Sequence, residues 1–377
     1  MPIIKKNCIE EIKARVSIYD VVSPSVALRK AGASWKGLSP FTNEKTPSFF
    51  VSPDRGLYKC FSTGKAGDIF SFVMETERLN FQEAVETIAG RFGIELVFEE
   101  GGAGQRESRS LRQELFLIHE IAAEFYHQFF LSQDRGAAEI RAYWTEKRHF
   151  TMEVAEDFKI GLSPLDSRPL IEACLKKEVS LEALRESGLF YQRGQQLSRS
   201  SLSPRFRGRL MIPIRDHQGR VIAFTARQLP LTPKDDPSHD AKYVNSPETP
   251  LFFKSHVLFG LDRARLEVSD DRPFILVEGQ LDTIRCWTSG LKTAVAPQGT
   301  SITEQQLLLM RRYSQRVDCL LDGDSAGQKA ALRFLPLALK TGLDVRFFVL
   351  PPGEDPDTLL QTGGEAAWEK LSQRPTS

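Results

Sequence analysis

Apolar positions recur at helical spacing in some stretches of the chain and form short continuous runs in others. From Leu111 onward, Leu115, Ile118, Ile121, Ala122, Phe125 and Phe129 fall three or four residues apart, the mark of a long amphipathic helix. Ile9, Ile12 and Val16 keep helical spacing near the N-terminus. Residues 48–51 and 57–61 are aromatic and β-prone and flank Ser52-Pro53-Asp54-Arg55-Gly56, which predicts a β-hairpin. Helices are expected over 68–77 and 81–92. The stretch EEGGAGQRESRS, 99–110, is glycine-rich and polar and reads as a flexible linker. Residues 208–227 read as two strands joined by Asp216-His217-Gln218-Gly219, and 230–241 as a polar, proline-bearing loop.

The last hundred residues alternate strand and helix. The runs FILV (274–277), TAVA (293–296), DCLL (318–321) and RFFVL (346–350) are separated by helical segments, which predicts a parallel sheet covered on both faces. Ser301-Ile302-Thr303-Glu304 fits a capping box that opens one of those helices. The expected fold class is multidomain, α+β and α/β. A β module covers 1–100, a linker 101–110, a mixed α+β basic subdomain 111–270 and an α/β parallel sheet 271–377.

The opening MPIIKKNCIEEIKARV carries charges where a signal peptide needs an apolar stretch, and no later run reaches the length of a bilayer span. The expectation is a cytoplasmic protein with no membrane partner. Cys8, Cys60, Cys174, Cys286 and Cys319 form no C-x-x-C pair, which suits a reducing compartment. A formal net charge of +1 conceals a separation of charge along the chain. From Arg193 to Pro230 there are eight arginines and a single acid, Asp216, whereas Glu354, Asp355 and Asp357 share one loop near the end. Cations suit phosphates and clustered carboxylates suit metal.

Acids follow three of the four C-terminal strand candidates: Glu278 after FILV, Asp322 and Asp324 after DCLL, and Asp355 and Asp357 after RFFVL. Ligands of open parallel sheets bind outside the carboxyl ends of the strands, so these acids are expected to converge there. Any one of them could merely cap a following helix. Capping does not require acids after three separate strands. Oxygen donors without histidine or cysteine suit Mg2+ or Mn2+ rather than zinc.

The segments VEGQLDTI (277–284), LDGDSAG (321–327) and PPGEDPDTL (351–359) resemble the Toprim motifs of bacterial DnaG-type DNA primases. Residues 205–227, KYVNSPETPLFFK (242–254), EKTPSFFVSP and GDIFSFVMETERLNFQEAVETIA resemble the same family in the same order, so the likeness covers nearly the whole chain. It implies a zinc-ribbon-like module, a primase core and a C-terminal Toprim subdomain. It implies synthesis of RNA primers from ribonucleoside triphosphates on single-stranded DNA, with a replicative helicase as partner. The family's helicase-binding domain is expected to be absent from these residues. By this resemblance Glu278, Asp322 and Asp324 are catalytic metal-binding acids, supported by Asp282, Asp355 and Asp357. Arg148, Arg207, Arg209, Arg220, Arg227, Lys242, Asn245 and Lys254 are the expected nucleic-acid and nucleotide contacts. Another Toprim enzyme, a topoisomerase or nuclease, is the first alternative, and a catalytically silent single-strand-binding relative the second.

The resemblance also implies a zinc site of pattern C-x2-H then C-x2-C. This chain keeps the spacing but carries Ser39 and Thr42, then Cys60 and Thr63. Neutral hydroxyls are poor zinc ligands and only Cys60 remains, so no zinc is expected here. A ribbon packed on Phe41, Phe49, Phe61 and Phe70 is expected instead. Lys45, Phe50, Tyr58, Lys59 and Lys65 add the basic and aromatic character that binds single strands by stacking and charge.

Overall fold

Alternating burial along one hairpin sets the core of the N-terminal part. The structure, a computed structural model, describes residues 4–42, 44–77, 79, 81–96, 103–299, 301–321, 325–350 and 355–372. It divides into two units, Met1–Gln105 and Arg106–Ser377. The first contains α1 (Lys6–Arg15), α2 (Ile18–Val22), β1 (Arg29–Ala31), β2 (Ser34–Gly37), β3 (Phe49–Ser52), β4 (Leu57–Cys60), β5 (Ala66–Gly67), α3 (Ile69–Glu77) and α4 (Phe81–Arg91). The five strands pair antiparallel in sequence order.

Phe49, Val51, Tyr58 and Cys60 point inward and are buried with Phe70, Phe72, Val73 and Ile88. Phe41 packs partly buried against this cluster, its ring 5.9 Å from both Phe49 and Tyr58. Phe61 does not join it. One residue beyond Cys60, it falls on the outer face by the period of two and is 63% exposed.

The second unit begins within α5 (Ala103–Leu131), so residues 103–110, expected as linker, are helical. Beyond Gly104 this stretch holds Gln, Arg, Glu and Ser with no proline, and side-chain propensity there favours helix. There follow α6 (Arg135–Ala142), a π-helical turn at Tyr143–Lys147, α7 (Met152–Asp157), β6 (Gly161–Leu162), α8 (Arg168–Leu175), α9 (Leu181–Glu186), β7 (Phe190–Gln192), β8 (Leu202–Pro204), β9 (Leu210–Arg215), β10 (Val221–Arg227) and β11 (Tyr243–Asn245). The sheet β11-β10-β9-β6 is antiparallel and packs Met211, Ile222 and Phe224 against Leu115, Ile118 and Ala122 of α5.

The remainder is β12 (Leu258–Phe259), α10 (Leu261–Glu267), β13 (Phe274–Leu276), α11 (Gln280–Thr288), β14 (Ala294–Pro297), α12 (Glu304–Arg311), β15 (Arg316–Leu321), α13 (Ser325–Thr341), β16 (Asp344–Val349) and α14 (Pro356–Ser372). The sheet order is β12-β14-β13-β15-β16, with every pairing parallel except β12 with β14. Both faces are covered. Val277, Ile284, Leu320 and Phe348 pack in one core and Leu276, Val295, Cys319 and Phe334 in another. Helix α12 starts two residues later than expected. Thr303 is its N-cap, and its capping box closes with Gln306 because Glu304 already lies in the first turn.

Candidate functional site

Glu278 stands two residues beyond β13, the strand between β14 and β15. Leu276 pairs with Cys319, and continuing that register sets Glu278 level with Leu321 at the end of β15. Asp322, Gly323 and Asp324 follow Leu321 in sequence but lie outside the described residues, as does Glu354. Asp282 occupies the first turn of α11 and folds back over the loop. A Cβ on Gly279 would come within 2.9 Å of Asp282 Oδ2, so a side chain there would make the carboxylate shift. Glu278 also borders an otherwise largely apolar cavity of about 300 Å³ between Leu276, Pro297, Ile302 and Phe334.

The last two expected acids are engaged differently. Asp355 Oδ1 accepts from Thr358 N at 2.7 Å, so it caps α14. Asp357 is buried. Its Oδ1 accepts from Arg285 Nε at 2.6 Å, and Arg148 lies 2.8 Å from its Oδ2. Arg285 also donates to the carbonyl of Arg148 at 2.5 Å and stacks on Phe150 at 4.0 Å. Arg148, expected to touch nucleic acid, therefore faces a carboxylate, and that carboxylate is occupied by two guanidiniums.

A polar chain connects the antiparallel sheet to the carboxyl ends of the parallel strands. Asn245 accepts from Thr225 at 2.7 Å and donates to the Gln298 carbonyl at 2.7 Å. Gln298 is buried just past β14, and its Oε1 accepts from Gln280 at the start of α11 at 3.3 Å. Tyr243, two residues before Asn245, takes a hydrogen bond from Arg227, whose guanidinium also lies 5.1 Å from its ring. Burial raises the phenol pKa of Tyr243, the charge of Asp282 adds to the rise, and Arg227 and Arg148 oppose it. Those couplings put Tyr243 between the basic and acidic groups. Gln298 carries no motif signal, and Tyr243, though inside KYVNSPETPLFFK, was not singled out there. The cues that could have found them are that segment for Tyr243 and, for Gln298, its place after a strand.

The arginine block divides by environment. Arg209 is 1% exposed and donates to the carbonyls of Ala241 and Ser238, with Asp236 at 3.7 Å. It is an internal brace and cannot reach DNA. Arg207 pairs with Asp235 at 3.1 Å. The 230–241 loop thus supplies acids to the block. It is seated closely because Gly208, at φ +57°, leaves no room for a Cβ beside the Leu231 carbonyl. Arg220 pairs with Asp216 at 2.7 Å and lies over the Phe116 ring at 4.1 Å. Lys242 is exposed and Lys254 half-buried. A cavity of about 560 Å³ is walled by Leu165, Tyr191, Arg193, Arg205, Arg207 and Asp235. In it the Arg205 guanidinium lies 3.9 Å from the Tyr191 ring centroid, and burial lowers its pKa. Arg193, Arg205 and Tyr191 were not singled out in the sequence.

In the first unit, Ser39 Oγ and Ser62 Oγ each lie 3.2 Å from the inaccessible Cys60 Sγ. Burial alone would raise the thiol pKa, but hydrogen bonds with Ser39, Ser62 and Thr63 outweigh it and bring the value down to about 6. On the outer face the register aligns Lys36, Phe50 and Lys59 in one row. Phe61 stands against Phe50 at 5.5 Å, and Lys59 lies 4.9 Å from the Phe61 ring.

Three family models match in chain order. Residues 4–103 match the CHC2 zinc finger, 125–265 the N-terminal domain of the DNA primase catalytic core, and 275–360 a Toprim-like domain. The structure superposes on the zinc-binding and RNA polymerase domains of Aquifex aeolicus primase with a TM-score of 0.63 at 31% identity. That match covers 98% of this chain and 85% of that one. The chain belongs to the DnaG-type primase family. A DnaG primase catalytic domain solved bound to single-stranded DNA matches with a TM-score of 0.60 at 35% identity, covering 71% of this chain and 80% of that one. The DNA primase of Halalkalibacterium halodurans is 38% identical over 372 residues. Those residues are 97% of this chain and 59% of that protein, so the chain spans about three fifths of this curated relative.

Membership of the DnaG-type family implies metal at both ends of the chain. The C-terminal donors Glu278 and Asp282 are hard carboxylate oxygens and fit a magnesium-like ion. The N-terminal donors do not fit zinc, because Ser39, Thr42 and Thr63 stand where thiolate or imidazole is required. Among the described residues, no helix is long and apolar enough to cross a membrane.

Proposed function

We propose that this chain is a DNA primase, a nucleotidyltransferase that joins ribonucleoside triphosphates into short RNA primers on single-stranded DNA during replication. The observation that carries this reading is the hydrogen-bonded chain Asn245–Gln298–Gln280, which ties the arginine-bearing sheet to the strand end where Glu278 and Asp282 stand. A polymerase needs that juxtaposition of phosphate-binding cations and metal-binding acids. Magnesium or manganese held by Glu278, Asp322 and Asp324, with Asp282 beside them, would activate the attacking 3′-hydroxyl and stabilise charge at phosphorus.

The remaining roles belong to the protein's own side chains. Arg227, Lys242 and Lys254 bind the phosphates of the incoming nucleotide, with Tyr243 holding Arg227 in place. Asn245 fixes the spacing between the two sheets. Asp357 positions Arg285 and Arg148, and Asp355 caps the helix that carries Asp357. The template strand runs along the Arg193, Arg205 and Tyr191 cavity, where a flat guanidinium and a phenol ring suit stacked bases. The exposed Phe50 and Phe61 rings, flanked by Lys36 and Lys59, bind single strands in the same manner. The solved complex of a related catalytic domain with single-stranded DNA supports single-strand binding by the catalytic core. A replicative helicase is proposed as the partner on the family resemblance, and the cytoplasm as the place of action.

The test is incorporation of labelled ribonucleotides on a single-stranded template with magnesium, with manganese and with a chelator. Template-dependent primers that vanish with the chelator support the reading. Relaxation or cleavage of duplex DNA without primer formation contradicts it.

A further inference from the structure

We infer that the N-terminal module is a metal-free ribbon, closed by a hydrogen-bonded cluster of Cys60, Ser39, Ser48, Ser62 and Glu44 at the place where its family implies zinc. Three of the four positions that correspond to the family's ligands still converge. Ser39 and Cys60 are 3.2 Å apart, and Thr63 hydrogen-bonds the same sulfur. What they present is one sulfur and two neutral hydroxyls. A structural zinc site takes four donors from cysteine and histidine. Within the described residues no three His, Cys, Asp or Glu side chains gather anywhere. Cys8, the other cysteine of this unit, directs its sulfur to the Glu95 carbonyl at 3.6 Å.

The cluster supplies the cross-links that an ion would supply. Glu44 Oε1 accepts from the backbone N–H of Ser39 at 2.7 Å and of Ser48 at 3.1 Å, joining the loop at Ser39 to the entry of β3. Ser48 Oγ lies 2.7 Å from Glu44 Oε2 and 2.8 Å from Ser62 Oγ, which in turn lies 3.2 Å from Cys60 Sγ. The links run from the Ser39 loop through β3 to the turn after β4, the same two knuckles that a zinc ion would bridge. The Ser48 hydroxyl has one proton and the Glu44 carboxylate can only accept, so Ser48 donates to Glu44 and Ser62 donates back to Ser48. Behind it, Phe41, Phe49, Tyr58 and Phe72 pack with ring centroids 5.3 to 6.3 Å apart. Aromatic burial thus provides apolar stabilisation that small zinc domains obtain from the ion.

The consequence is an N-terminal module whose fold does not follow zinc availability. Zinc-dependent domains unfold when the ion is withdrawn, because binding free energy is their folding free energy. This ribbon has no such dependence, and no second thiol stands beside Cys60 to form a disulfide.

The test uses the full chain, purified from zinc-supplemented medium, with zinc measured by elemental analysis and melting followed with and without a strong chelator. The expected result is substoichiometric zinc and coincident melting curves. Glu44→Gln and Ser62→Ala should each lower the midpoint of the N-terminal transition, still without any chelator effect. A chain carrying Ser39→Cys, Thr42→His and Thr63→Cys beside the native Cys60 should take up stoichiometric zinc and become chelator-sensitive. Stoichiometric zinc in the native chain would overturn the inference. So would unchanged melting of both cluster variants, or a triple variant that takes up no zinc.

Discussion

Arg285 donates its Nε–H to Asp357 Oδ1 at 2.6 Å, and both side chains are more than nine-tenths buried. Arg148 closes on the other oxygen from the π-helical segment, so one carboxylate joins α11, α14 and the mixed subdomain. Removing one member of a buried pair leaves an uncompensated charge and costs about 3–5 kcal/mol. Asp357→Ala is expected to lower the thermal midpoint of the C-terminal unit by that scale. The magnesium concentration giving half-maximal activity in the surviving folded protein should stay unchanged. A rise in that concentration without loss of stability would make Asp357 a metal ligand instead.

The arginines should separate in a salt titration of DNA binding. Arg205→Ala or Arg227→Ala is expected to weaken binding to all single-stranded sequences alike and to reduce the slope of log K against log salt by about 0.7, as for one lost phosphate contact on a single strand. Arg209→Ala should destabilise the fold and leave that slope as it is, because Arg209 is spent on backbone carbonyls. Equal slope changes for Arg205 and Arg209 variants would refute the division.

His119 makes the second unit acid-sensitive. It is fully enclosed, with Nδ1 donating to the Leu115 carbonyl at 2.7 Å and its ring stacked on Phe224. Burial pulls its pKa down to about 4 from the ordinary 6.5. Between those values the unfolded chain binds a proton that the folded chain refuses, so stability falls as pH drops through that window, by at most about 1.4 kcal/mol per unit. His119→Phe should flatten the melting temperature between pH 6.5 and 4.5 relative to the native chain. Parallel pH profiles for the two proteins would count against it.

The parallel strands were legible as apolar runs, although their order in the sheet was not. FILV, TAVA, DCLL and RFFVL all became parallel neighbours, because a strand buried on both faces has to be apolar throughout. The helix over 103–110 was not legible, since Gly104 and the polar residues score as loop while the following amphipathic stretch propagates helix backward. The acids were legible as residues and not as partners. Sequence places Asp357 beside Asp355, but only the fold reveals that Arg285, seventy-two positions away, holds it. The arginine block read as uncompensated charge because Asp235 and Asp236 lie in a loop whose seat depends on tertiary contact. Phe61 was misread as core because its burial turns on strand register by one residue.

If carboxylates at the ends of the parallel strands hold the metal for primer synthesis, Glu278→Gln, which removes one charge at constant shape, should abolish that synthesis. The measurement is template-dependent incorporation of labelled ribonucleotides, alongside single-stranded DNA affinity and melting temperature of the same preparation. The expected result is a loss of synthesis of more than about 100-fold, beyond the roughly 10–100-fold effect of changing a residue that only supports a metal ligand, with affinity and melting near native. Primer synthesis at a near-native rate by the Glu278→Gln protein would contradict it.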